Sequence, residues 1–147
     1  MKAFYFRYSK ILDYRRYLEQ KAQADLNAAR RELVSIEKDI QQHNQKKMSI
    51  ERECDAAGLK GVNVPVYHLY QTYLETLGRT IERARLAHNK SLQKVKRREK
   101  RLKTEMIKKK TLEKLREFEY QGFLEKAASS EQKMLDEMVI MRKGQPS

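Results

Sequence analysis

Gly58-Leu59-Lys60-Gly61-Val62-Asn63-Val64-Pro65 decides how this chain is read. Two glycines, an asparagine and a proline fall within eight residues, although the whole 147-residue sequence holds only 5 Gly and 2 Pro. The flanking stretches, about 5–57 and about 66–141, are rich in Ala, Glu, Lys, Arg, Leu and Gln, all good helix formers. Gly78 and Gly122 are the weak points of the second. The octet therefore predicts a turn at about 58–65 between two long helices. Asn63 is placed to cap the second helix, and Pro65 is tolerated in its first turn, where its missing N–H is not needed.

Spacing supports this outward from the turn. In the first stretch Leu26, Ala29, Leu33, Ile36, Ile40, His43, Lys47, Ile50 and Cys54 recur at alternating steps of three and four. In the second, Leu74, Leu77, Ile81, Ala84, His88, Ser91, Val95, Arg98, Leu102, Glu105, Lys109 and Leu112 do the same. This is the period of a left-handed coiled coil, and a short turn makes the two helices antiparallel neighbours. Folding the chain about residue 62 sets Ile50 against Tyr73 or Leu74, Ile40 against Ala84, Ala29 against Val95, Ala22 against Leu102 and Ile11 against Leu112. The expected fold is all-α, a single-domain antiparallel two-helix coiled-coil hairpin. At 1.5 Å per residue its arms would be roughly 80 Å and roughly 110 Å long. The second helix then overhangs after about residue 120.

Arg98, Glu105 and Lys109 occupy seam positions that favour apolar side chains. Unpaired buried charge is costly, so these groups are expected to snorkel outward over loosely packed helices. A marginal, flexible hairpin that gains order when bound follows from this.

Composition excludes other classes. Sandwiches, barrels and doubly wound sheets need many turns, and Gly and Pro are too scarce to make them. The single Cys forbids an internal disulfide framework and favours a reducing compartment. No apolar run approaches the roughly 20 residues of a membrane span, and the start, interrupted by Arg7 and Lys10, does not read as a signal peptide. Disorder is the rival at 36% charged residues, but the sustained helical period favours structure.

The net charge of +13 is local. Residues 83–110 carry 13 basic and 2 acidic side chains, whereas residues 111–147 carry 6 and 7. Arg83, Arg85, Lys94, Arg97, Arg101 and Lys108 mark out this basic band. It reads as a solvated helix face, as a docking surface for an acidic partner, whose binding would be salt-sensitive, or as a nucleic-acid contact. The last is disfavoured, because the band holds no aromatic side chain for base stacking and no zinc-finger or RNP pattern.

Catalytic chemistry finds no foothold. Gly58-Leu59-Lys60-Gly61 is too short for a phosphate loop, and His43, His68 and His88 lack zinc-ligand spacing. His43, His88 and Cys54 fall on the seam and read as packing residues. No enzyme, metal, cofactor or small-molecule substrate is expected. Aromatic residues are more informative: Phe4, Tyr5, Phe6, Tyr8, Tyr14 and Tyr17 crowd the start, and Tyr67, Tyr70 and Tyr73 crowd the turn. Some staple the coil ends. A two-helix coil is too thin to bury them all, so both ends are candidate contact surfaces.

The order of several short runs resembles the flagellar type III export protein FliJ family. They are Phe4-Tyr-Phe-Arg7, Ile11-Leu-Asp-Tyr-Arg15, Glu19 and Ala22, then Tyr73-Leu-Glu-Thr-Leu77 and Ile81, then Lys110-Thr-Leu-Glu-Lys-Leu-Arg116 and Glu131-Gln-Lys-Met-Leu-Asp-Glu137. The resemblance implies a non-enzymatic cytoplasmic component of flagellum biogenesis, peripheral at the inner face of the cell membrane at the flagellar base. It implies a hexameric export ATPase whose ring assembly the chain promotes, the cytoplasmic domain of the export gate, and export chaperones as partners.

By the same resemblance the open end of the hairpin enters the ATPase ring, with Phe4, Phe6, Arg7, Ile11, Arg15, Leu112, Leu115, Asp136 and Glu137 as contacts. The gate-binding surface would comprise Ile36, Ile40, His43, Tyr73, Leu77, Ile81 and Ala84, all of which also read as lying on the seam. The alternatives are a basic coiled-coil nucleic-acid-binding protein and the equivalent stalk of an injectisome.

Overall fold

The computed structural model describes residues 2–144. Two helices, α1 (Ser9–Lys60, 52 residues) and α2 (Val64–Lys143, 80 residues), make up the secondary structure, with no strand among the described residues.

Both helix boundaries flanking the turn differ from the expected 58–65, because the two glycines behave differently. Gly58 continues α1, and nothing lies within 4 Å of the space its Cβ would take. Gly61 has φ +79°, the left-handed conformation that ends a helix at little cost only when the side chain is hydrogen. The turn shrinks to residues 61–63. Asn63 caps α2 as the sequence suggests: its Oδ1 accepts from the Val66 N–H at 3.4 Å and its carbonyl from the Tyr67 N–H at 3.2 Å.

The start of α1 is later than position 5. Residues 2–6 run without helix, and the Ser9 N–H donates to the Phe6 carbonyl at 3.2 Å before the helix takes over. The non-helical lead places the Phe4 ring 5.1 Å from Tyr120 and 5.6 Å from Phe123. Aromatic pairs at such distances contribute beyond the area they bury.

The chain divides into two compact units, Lys21–Leu102 and Met1–Gln20 with Lys103–Ser147. In the first, Leu26, Ala29 and Val95 form a buried cluster with Leu33 and Leu102 packed on it, and Ala22, Cys54, Leu77 and Ile81 are also buried. Around this seam Arg30 meets Glu99 at 3.5 Å, Lys94 meets Glu32 at 3.1 Å and His88 meets Glu37 at 3.2 Å. Each pair is centred within three residues of position 62, so α1 and α2 run antiparallel in the register read from the turn.

In the second unit Phe6 and Leu12 are buried, and the ion pairs between α1 and α2 and the Phe4–Tyr120 ring contact have the same centring. Beyond Phe123 every described residue is exposed, while α2 stays helical to Lys143. The fold is therefore an antiparallel two-helix coiled-coil hairpin with a C-terminal overhang.

Two seam details correct the sequence reading. Ile11 is 48% exposed and Leu12 only 2%, so Leu12 and not Ile11 makes the rung with α2. Extending the three-and-four spacing backward from Leu26 through Ala22, Glu19 and Arg15 reaches Leu12 and then Tyr8; Ile11 lies one residue, about 100° of helix turn, away. Glu105 and Lys109 also do not snorkel into solvent. Glu105 is buried with Arg15 Nη1 3.7 Å from its Oε2, and Lys109 pairs with Glu19. Charge facing charge across the seam is what lets these groups stay inside.

Candidate functional site

Seven residues of the surface near the turn lie in the Lys21–Leu102 unit. Ile36, Ile40, His43 and Ala84 are half-buried on seam positions, and Leu77 and Ile81 are 7% and 3% exposed. Tyr73 is different. At 37% exposure it stands off the seam, which Leu74 occupies instead. Together with Ile50, Val66, Leu69 and Tyr70 it lines a shallow apolar hollow. Lys46 Nζ lies 5.7 Å from the Tyr73 ring centroid, and its hydrogen bond and charge interaction with the phenol hold the ammonium above its ordinary value.

Leu59, Val64, Tyr67 and Leu69 around the turn are also exposed. The sequence could have indicated these residues, because an apolar side chain one or two positions off a heptad seam has nowhere to go in a two-helix coil. The outward-facing part of this end is thus Tyr73, Tyr67, Leu69 and Val66; Leu77 and Ile81 face α1.

In the other unit Phe4 packs between Tyr120 and Phe123, with the Arg116 guanidinium 5.6 Å from its ring. Phe6 is buried and lies 5.9 Å from the Tyr8 ring. Leu112 and Leu115 are half-buried, whereas Arg7, Asp136 and Glu137 are exposed. Arg15 is half-buried in its pair with Glu105, and Arg16 reaches Glu113 at 3.8 Å. Tyr14 and Tyr17 stack on each other at 6.5 Å and are exposed. Spacing on α1 brings these two rings together at i and i+3.

The basic band divides between the units. In Lys21–Leu102, Lys94, Arg97, Arg98 and Arg101 line one groove along α2. Arg85 is tied to Glu82 at 2.8 Å and Lys94 to Glu32, while Arg83, Arg97 and Arg101 project into solvent. Lys108, in the other unit, is exposed.

Among the described residues no cluster of His, Cys, Asp and Glu could hold a metal, and no helix is long and apolar enough to cross a membrane. His88 shares a contact with Glu37, and Cys54 is buried with the Gln71 amide 3.9 Å from its sulfur, as packing residues would be. Among the described residues most ion pairs lie at exposed helix positions, while Arg15–Glu105 and Glu19–Lys109 lie at the seam.

Comparison with known proteins agrees with this geometry. The fold is similar to that of the YscO homolog CT670 of Chlamydia trachomatis, with a TM-score of 0.58 and 14% identity over 97% of this chain and 100% of that one. No curated protein sequence matches. The family model for the flagellar FliJ protein matches residues 4–146. The chain belongs to the flagellar FliJ protein family, whose members are non-catalytic components of type III export.

Proposed function

We propose that this protein works by binding alone, joining the hexameric flagellar export ATPase to the export gate and to export chaperones. The observation that supports this reading best is the family match along residues 4–146. The chain's two units present chemically different surfaces. The one with Phe4, Tyr120 and Phe123 carries exposed acidic residues after Phe123, and the one with the turn carries exposed Tyr67, Leu69 and Tyr73. In this reading the first meets the ATPase ring and promotes its assembly, and the second meets the cytoplasmic domain of the gate. Binding to both by one molecule couples ring state to gate state through differential contacts. The chain then acts in the cytoplasm at the flagellar base.

The test is co-purification with the cognate export ATPase and stimulation of ATP hydrolysis, both at low salt. Absence of both removes the proposal. For the gate, Tyr73→Ala is the informative substitution, because Tyr73 is off the seam. Weaker gate binding with unchanged far-UV helicity supports the assignment, and unchanged binding reassigns the surface. The fold likeness to a YscO homolog favours a second reading, the equivalent stalk of an injectisome. Co-purification with an injectisome ATPase in preference to the flagellar one would select it.

A further inference from the structure

The seam of the unit formed by residues 1–20 and 103–147 carries two charge pairs where its neighbours along α1 and α2 carry apolar side chains. Arg15 faces Glu105, and Glu19 faces Lys109. Both pairs are withdrawn from solvent to different degrees: at its side chain Glu105 is 10% exposed, and Lys109, Glu19 and Arg15 are half-buried at 21%, 23% and 30%. The Glu105 Oε2 is buried without a hydrogen bond, since Arg15 at 3.7 Å is beyond hydrogen-bond reach. A third pair, Arg16–Glu113, lies beside them and is more open to solvent.

Charges held in a seam offset their loss of hydration only partly, and this loosely made pair does so least. When the helices part, all four groups regain water. When they close, only one partner arrangement avoids burying a bare charge. Polar seam residues of this kind trade stability for register.

We propose that Arg15–Glu105 and Glu19–Lys109 form a built-in opening point, which keeps α1 and α2 in register when closed and lets this segment part reversibly. Parting uncovers Phe6, Leu12 and Leu112, an apolar face that the closed seam hides in whole or in part. The device goes beyond the binding role proposed above and needs no partner to operate, so its failure would leave that role standing.

The experiment is pulsed electron–electron resonance on the full chain in a Cys54→Ser background, with spin labels at Lys10 and Lys114, both exposed and mirrored about the turn. Expected for the parent are a short-distance population and a second, longer and broader one. Replacing both pairs by leucine (Arg15→Leu, Glu19→Leu, Glu105→Leu, Lys109→Leu) should cut the longer population at least about threefold and raise the melting midpoint. Exchanging the charges (Arg15→Glu with Glu105→Arg) should retain it. Arg15→Ala, which leaves Glu105 unpaired, should enlarge it, a readout that stands even if the leucine variant self-associates. A single narrow short distance in the parent, or an Arg15→Ala distribution no broader than the parent's, overturns the proposal.

Discussion

Two stretches of seam in this protein share one helical spacing and are held by different forces. From Leu26 to Leu102 the inward positions include the apolar cluster of Leu26, Ala29, Leu33, Val95 and Leu102, and charged side chains such as Glu32, Lys94, Arg30 and Glu99 flank it at the edge. Between residues 12–19 and 105–112 the inward positions include Arg15, Glu19, Glu105 and Lys109, with Leu12 as the buried apolar anchor. In the first stretch charge stands at the rim, where an ion pair contributes little and salt screens it. In the second, charge is the interior, so the same residue types decide register and ease of opening. Position relative to the seam, and not charge count, sets what a charged residue does here.

Five substitutions or conditions would break or sharpen that contrast. Leu26→Ala should have the largest effect, about 2–5 kcal/mol, because it removes the centre of the apolar cluster. Thermal unfolding by circular dichroism measures it, and a loss below about 1 kcal/mol would mean that this seam is as loosely packed as the charged one. Arg15→Ala comes next, at about 1–3 kcal/mol, since it strands a buried carboxylate. Arg30→Ala, at the exposed rim, is its control and should change stability by less than about 1 kcal/mol. Equal effects from the two arginines would erase the distinction between interior and rim.

A double-mutant cycle on Glu32 and Lys94 should give about 0.2–1 kcal/mol of coupling that shrinks in high salt. The smallest effect is one of pH. Glu19 holds the Lys109 ammonium above its ordinary value of 10.5, so the folded state binds this proton more tightly than the unfolded one. The pair's contribution is then fully present below pH 10.5 and fades as pH rises through the raised folded value. Lys109→Met should flatten this part of the alkaline melting curve.

Much of the architecture was legible in residue order. The octet at 58–65 located the turn, the three-and-four spacing located the seam from Leu26 to Leu112, and the family runs from Phe4 to Glu137 pointed to the FliJ family that the match over residues 4–146 establishes. Two features were not legible. Gly58 and Gly61 look alike in sequence, and only the backbone shows that one continues a helix while the other leaves it at φ +79°. Tyr73 and Leu74 are both apolar neighbours, and the choice of which enters the seam is about 100° of helix rotation that a partner helix decides. In the structure Leu74 is half-buried and Tyr73 is exposed.

Local propensity and a period of three and four are properties of a single strand of sequence, so residue order by itself determined that there are two helices, where they turn back and which stripe each buries. Which charges meet is not such a property. Arg15 finds Glu105, and Glu19 finds Lys109, only because the partner helix brings residues some ninety positions away to within ion-pair distance. Tertiary structure alone decided that these groups would be paired inside and not spread into water, because the energy of a buried charge depends on what faces it and not on what precedes it in the chain.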